Sequence, residues 1–113
     1  MTNSALLYEQ SGPVGWINLN RPNEMNAINL QMLDEFEEIL PRIANDDAVK
    51  VIVLTGKGRA FCAGADLKEI LNSARLQPGE ADFIDRLTGR VLNVLRDFPK
   101  PVIAALNGIT MAG

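Results

Sequence analysis

The run Phe61-Cys62-Ala63-Gly64-Ala65-Asp66-Leu67 joins small side chains to a helix-start signal. Asp66-Leu67-Lys68-Glu69 has the spacing of a capping box, with Asp66 as N-cap, Glu69 reaching back and the helix starting at Leu67. A helix N-terminus carries unpaired N–H groups and a partial positive charge. The N–H of Ala65 is thereby placed to face an anionic oxygen, and Gly64 and Ala65 keep bulk out of the way. This arrangement suits a carbonyl oxygen that becomes negative during a reaction. One preorganised donor of this kind contributes roughly 3–4 kcal/mol to a transition state, or ~10²–10³ in rate. Small residues before a capped helix also occur in loops that only pack, and the run alone does not separate the two readings.

Other chemistries are thinner. Histidine is absent, which removes histidine bases, triads and histidine metal sites from this span. The single cysteine, Cys62, has apolar neighbours and no histidine to activate it, so it reads as a small buried residue. No residue cluster suggests a metal site. Val51 to Thr55 runs into Gly56-Lys57-Gly58-Arg59, a strand entering a glycine–lysine loop, which raises an alternative: a nucleotide-phosphate binding module. The detail disagrees, since Lys57 is followed by Gly58 rather than Ser or Thr, and Phe61 holds the last glycine position of a GxGxxG reading. Among the acids, Asp66 and Glu69 read as caps, and Glu80, Asp82 and Asp85 as solvated charges at a helix start.

These residues need elements to hold them. Leu6–Gln10 and Trp16–Asn20 read as an antiparallel hairpin about the turn residues Ser11 to Gly15. A helix follows, capped by Asn29, with Leu30, Leu33, Phe36, Leu40 and Ile43 on one face. Pro41 sits inside that pattern and predicts a kink or break near Leu40. Val49–Thr55 is β-branched and apolar, as in a central parallel strand buried on both faces. A short helix from Leu67 to about Ser73 and an amphipathic helix carrying Phe83, Ile84, Leu87, Val91, Val94, Leu95 and Phe98 come next. Val102–Leu106 reads as a second buried strand, and Asn107-Gly108 opens a turn. Strands alternating with helices imply an α/β fold with parallel strands covered by helices.

The chain has 113 residues, enough for one domain, with ordinary globular composition. A formal charge of −3 argues against broad attraction to nucleic acid. One cysteine permits no internal disulfide, and no apolar run approaches the ~20 residues that span a bilayer. No secretory signal is visible at the N-terminus. The expectation is a cytoplasmic protein with neither nucleic-acid nor membrane partners.

Three blocks carry a resemblance. VIVLTGKGRAFCAGADLKE (51–69), LNRPNEMNAI (19–28) and KPVIAALNGITMAG (100–113) stand in the order and spacing of the enoyl-CoA hydratase/isomerase (crotonase) superfamily. Together they span nearly the whole chain. The resemblance implies a crotonase-like spiral of ββα units, with residues 1–113 as the N-terminal part of a single domain whose remainder lies outside this sequence. It implies an acyl-CoA thioester substrate, with coenzyme A entering as part of that substrate and no permanently bound cofactor. It implies an oxyanion hole of two backbone amides, Ala65 and Gly113, and either hydration of a 2-enoyl-CoA or double-bond isomerisation. Substrate and coenzyme contacts carry over to Met25, Asn26, Ala27, Ala63, Gly64, Asp66, Leu67 and Lys68, with Lys57, Arg59 and Lys68 as candidate phosphate contacts. The family's acid/base glutamates are expected after Gly113, so the 113-residue chain alone is expected to be inactive. A non-catalytic fragment acting through association is the further alternative. The intact enzyme is expected to be a homo-oligomer, a trimer or a dimer of trimers, involved in lipid metabolism. Ala112 stands where the family motif has glycine, which stiffens the turn before Gly113.

Overall fold

The computed structural model describes residues 4–73 and 82–112. Strands β1 (Leu6–Ser11) and β2 (Val14–Leu19) form the expected antiparallel hairpin about Gly12-Pro13, with Gly12 at φ +57°. Helix α1 (Leu30–Ala44) carries the chain back, and β3 (Val51–Gly56) pairs in parallel with β2, Val14 opposite Val51. Next come β4 (Ala60–Cys62) and α2 (Leu67–Ser73). A continuous helical segment then runs through α3 (Phe83–Leu87), a π-helical turn (Thr88–Leu92) and α4 (Asn93–Arg96). Strand β5 (Val102–Ala104) returns parallel to β3, giving a four-stranded sheet in the order β1-β2-β3-β5. A second, two-stranded parallel sheet joins β4 to β6 (Ile109–Thr110). Sequence patterning misses this sheet, because strands of three and two residues are too short to show alternation.

The core lies between the sheet and the helices. Ile17 and Ile52 from the sheet, Met32, Leu33, Phe36, Leu40 and Ile43 from α1, and Phe83, Leu87 and Val91 from the later helix form one buried cluster. Asn29 caps α1 as expected, accepting from the Met32 N–H at 2.9 Å. Leu30 departs from expectation: it is exposed, and Met32 takes its place in the core. The last helical segment buries Phe83, Leu87 and Val91 at four-residue steps, while Ile84 and Val94 are exposed. A four-residue step overshoots an α-helical turn by ~40°. The wider π turn offsets that drift and keeps the three side chains on one stripe.

The predicted break at Pro41 is absent, and α1 runs unbroken to Ala44. Burial of Leu40 and Ile43 on either side of the proline holds the last turn down. Its carbonyls are also capped: Pro41 accepts from the Asn45 N–H and Nδ2, and Lys100 Nζ donates to Ile43 at 2.6 Å and to Asp46 at 2.5 Å. Pro41 itself is exposed, and its ring removes one helical N–H donor. Pro41→Ala is therefore expected to raise the unfolding free energy by roughly 1–3 kcal/mol, measured by urea denaturation.

Two burial expectations change. In β3 only Ile52 is fully buried and its strand neighbours are half-buried. In β5 Val102 is half-buried while Ile103 is 53% exposed. Each of these strands has one face on the core, and the opposite face is only partly covered by the described residues. No helix among the described residues is long and apolar enough to cross a membrane.

Candidate functional site

Two loops interlock to form the candidate site, one from Arg21 to Ile28 and one from Cys62 to Asp66. The first opens with a 3-10 turn at Pro22–Glu24, where proline's fixed φ starts the turn. It leaves through two consecutive left-handed residues, Met25 (φ 52°) and Asn26 (φ 57°). The Met25 carbonyl accepts from the Ala63 N–H at 3.0 Å. Ile28 then pairs in parallel with Ala65, donating to the Gly64 carbonyl and accepting from the Asp66 N–H, both at 2.8 Å. In a parallel pair of this kind Ile28 spends both backbone groups on the neighbouring strand, and the residue opposite turns its own to the other side. Ala65 is that residue. Nothing among the described residues accepts from its N–H, and it is only half-buried. The loop therefore holds out an unspent amide.

Capping differs in part from the sequence reading. Asp66 Oδ1 accepts from the Lys68 N–H at 2.9 Å, so it does serve the first turn of α2. Glu69 does not reach back to Asp66. Its carboxylate takes the Leu30 N–H at 2.5 Å, an otherwise unpaired donor at the start of α1. Asp66 has no need of Glu69, because its own N–H is already given to Ile28. The other Asp66 oxygen pairs with Arg21 Nη1 at 3.1 Å. Both acids nearest Ala65 are thus committed to the scaffold.

Gly64 has φ +95°, and a Cβ there would lie 2.9 Å from the Ala112 Cβ and 3.1 Å from the Met111 oxygen. Conformation and space both require glycine. The close approach follows from the β4–β6 pairing, extended by the Met111 N–H to the Cys62 carbonyl at 2.9 Å. It sets residues 111–112 directly against the loop that carries Ala65. Ala112 has φ 52°, a left-handed conformation that costs an L-residue roughly 1–2 kcal/mol. The stiffening expected at this position is thus a strained backbone. Gly113, the expected second donor, lies outside the described residues.

The remaining candidates divide. Met25, Ala27 and Ala63 are half-buried around the loop crossing. Asn26 is fully buried, and its side chain is spent: Oδ1 accepts from the Arg21 N–H at 2.8 Å, and Nδ2 donates to Lys57 and Ala60 carbonyls at 3.0 and 2.9 Å. A ligand contact through that side chain is closed off, and it acts as a strut between the loops. Leu67 and Lys68 are exposed on the first turn of α2, and Lys57 and Arg59 are exposed on the β3–β4 loop. The latter loop is no phosphate cradle. The Gly56 N–H goes to Asn107 Oδ1 at 3.0 Å, the Lys57 N–H goes to Leu19 at 2.9 Å, and the chain continues into a strand rather than a helix.

Asn107, read from sequence only as a turn residue, clamps this loop further by donating to Gly58 and Ala60 carbonyls at 3.0 and 3.2 Å. Arg21 carries no sequence signal either, since an arginine before a proline has no pattern of its own. Cys62 is buried, which pushes its thiol upward, with the Gly64 N–H at 3.3 Å acting in the opposite sense. An open cleft of about 440 Å³ is lined by Leu40 and Pro41 of α1, by Val94 of α4 and by Phe98 beyond it, and by none of the candidates. That cleft lies away from the two interlocking loops.

Comparison with known proteins adds four matches to this geometry. The family described as enoyl-CoA hydratase/isomerase matches residues 14–113. A Mycobacterium leprae protein named "Probable enoyl-CoA hydratase echA12" is 40% identical over 104 residues, 88% of this chain and 35% of its own length. The 1,2-epoxyphenylacetyl-CoA isomerase of Escherichia coli is 35% identical over 82% of this chain and 36% of its own length. A crystal structure of an enoyl-CoA hydratase/isomerase from Marinobacter aquaeolei superposes with a TM-score of 0.78 at 35% identity, covering 92% of this chain and 41% of that one. The chain thus spans well under half the length of these relatives.

Proposed function

Because the chain belongs to the enoyl-CoA hydratase/isomerase family, we propose that its Cys62–Asp66 loop receives the thioester carbonyl of an acyl-CoA. The Ala65 N–H donates to the oxygen, with Gly113 as the second donor. The observation that supports this most directly is the Ala65 amide, turned away from its pairing with Ile28 and left without an acceptor among the described residues. A half-buried donor fixed by its neighbouring pairing needs no rearrangement as charge develops on the oxygen. Coenzyme A would enter as part of the substrate, along Met25, Ala27, Ala63, Leu67 and the exposed Lys68, with Lys57 and Arg59 as further cations for its phosphates.

The reaction proposed is hydration of a 2-enoyl-CoA or migration of its double bond. A relative named as a hydratase and one named as an isomerase match the chain at similar identity. In this reading the oxyanion contact is common to both reactions, and the placement of acid and base distinguishes them. Neither Asp66 nor Glu69 is assigned a proton transfer, because both are tied to the scaffold. By itself the chain would bind an acyl-CoA without hydrating it. Homo-oligomeric association of the intact enzyme is part of the same proposal.

Titration calorimetry of the chain with crotonyl-CoA, free coenzyme A and ATP tests this reading. Crotonyl-CoA is expected to bind more tightly than free coenzyme A, with no heat from ATP. Absence of any crotonyl-CoA binding, or equal binding of ATP, would overturn it.

A further inference from the structure

We propose that Arg21 is the positioning residue of the Ala65 donor, an inference that rests on the oxyanion reading of that amide. One guanidinium nitrogen, Nη1, donates to the Ala27 carbonyl at 2.5 Å and to Asp66 Oδ2 at 3.1 Å. These two acceptors flank the pairing that orients Ala65: Ala27 precedes Ile28, and Asp66 follows Ala65. Arg21 therefore ties the two strands together at the step where Ala65 turns its N–H outward. The bridge itself has two backbone hydrogen bonds, Ile28 to Gly64 and Asp66 to Ile28, with Ala63 to Met25 as a third tie between the same loops. An isolated pairing of that size has little resistance to twisting, and a charge-assisted tie beside it removes that freedom.

Arg21 is itself held in place. Its backbone N–H goes to Asn26 Oδ1 at 2.8 Å, and its carbonyl accepts from the Asn26 N–H at 2.8 Å. The side chains of Arg21 and Asp66 are 17% and 14% exposed, so solvent screens this pair less than an open surface pair. Asp66 relays the tie onward, since its second oxygen holds the Lys68 N–H. The chain of contacts runs from Asn26 through Arg21 and Asp66 to the start of α2, with Ala65 enclosed between its ends. A donor displaced by about 1 Å from its acceptor can lose on the order of a hundredfold in rate. The ordering of this loop is thus where Arg21 acts, without touching the substrate.

Both contacts come from one nitrogen, so a single ammonium can replace them, which makes lysine the rescue variant. The full chain is to be saturated with a thioester of coenzyme A carrying ¹³C at the carbonyl, and the infrared carbonyl stretch recorded. In the unsubstituted protein the band is expected to shift down from its position in water. Most of that shift is expected to be lost in Arg21→Met and largely regained in Arg21→Lys. Amide hydrogen exchange at Ile28 and Asp66 supplies a ligand-free measurement, with faster exchange expected in Arg21→Met and near-normal exchange in Arg21→Lys. No carbonyl shift in the unsubstituted protein would sink the oxyanion reading, and this inference with it. A full shift retained in Arg21→Met, or unchanged exchange at both amides, would overturn the positioning role alone. Loss in Arg21→Lys as complete as in Arg21→Met would also overturn it, because the tie would then not be what matters.

Discussion

Ala65→Pro is expected to weaken binding of an enolate-forming thioester such as acetoacetyl-CoA by at least about tenfold, while leaving affinity for free coenzyme A nearly unchanged. The substitution deletes one N–H, and that N–H has no acceptor among the described residues. No hydrogen bond among the described residues is therefore lost. A single oxyanion donor is worth roughly 3–4 kcal/mol in a transition state, and a bound enolate recovers part of this. The ratio of the two affinities separates loss of the donor from general damage to the loop. Ala65→Gly keeps the N–H and is expected to retain the preference for the enolate. Equal affinity of Ala65→Pro and the unsubstituted chain for acetoacetyl-CoA would remove Ala65 from the proposed site.

The elements that frame this amide differ in how plainly the sequence announces them. The hairpin, the Asn29 cap and the start of α2 at Leu67 follow from local signals, and the structure has all three. The unbroken passage through Pro41 does not, because local propensity is overruled there by burial of Leu40 and Ile43 and by Lys100, more than 50 positions away in the chain. Glu69 shows the same limit. Its spacing from Asp66 suggests a local cap, but the carboxylate serves Leu30, a partner 39 positions away. The small residues around Ala65 point to the loop proposed to receive the thioester. What orients the amide is a pairing with Ile28, and an isolated pair leaves no periodic trace in a sequence. Arg21 and Asn26 were illegible as struts for a related reason: a polar residue in a loop looks solvated until its partners are known. Family resemblance points to the loop, and three-dimensional contacts explain why it keeps its shape.

Asn26 should therefore be among the most sensitive positions in the fold. Its side chain is fully buried, accepting one hydrogen bond from Arg21 and donating two, to Lys57 and Ala60. Asn26→Ala leaves these partners unsatisfied at a cost of about 1–3 kcal/mol. Asn26→Asp is nearly isosteric and is expected to be worse at pH 7. A carboxylate there would present oxygen to two carbonyl oxygens and keep a buried charge with no cation demonstrated at its second oxygen, costing roughly 3–5 kcal/mol. The folded state then disfavours the ionised form, so the new carboxyl's folded pKa lies above its unfolded value. Stability relative to the unsubstituted chain is lost as pH rises through that folded pKa, and it returns as pH falls, because the protonated acid can donate to one of the carbonyls. Urea denaturation at pH 7 and pH 5 is expected to show Asn26→Asp below Asn26→Ala at the higher pH, with the gap narrowing at the lower one. A gap that widened on acidification would mean that the carboxylate had found a cation in the folded state, with Arg21 the nearest candidate by chain contact. The strut would then be electrostatic rather than a set of matched amide hydrogen bonds.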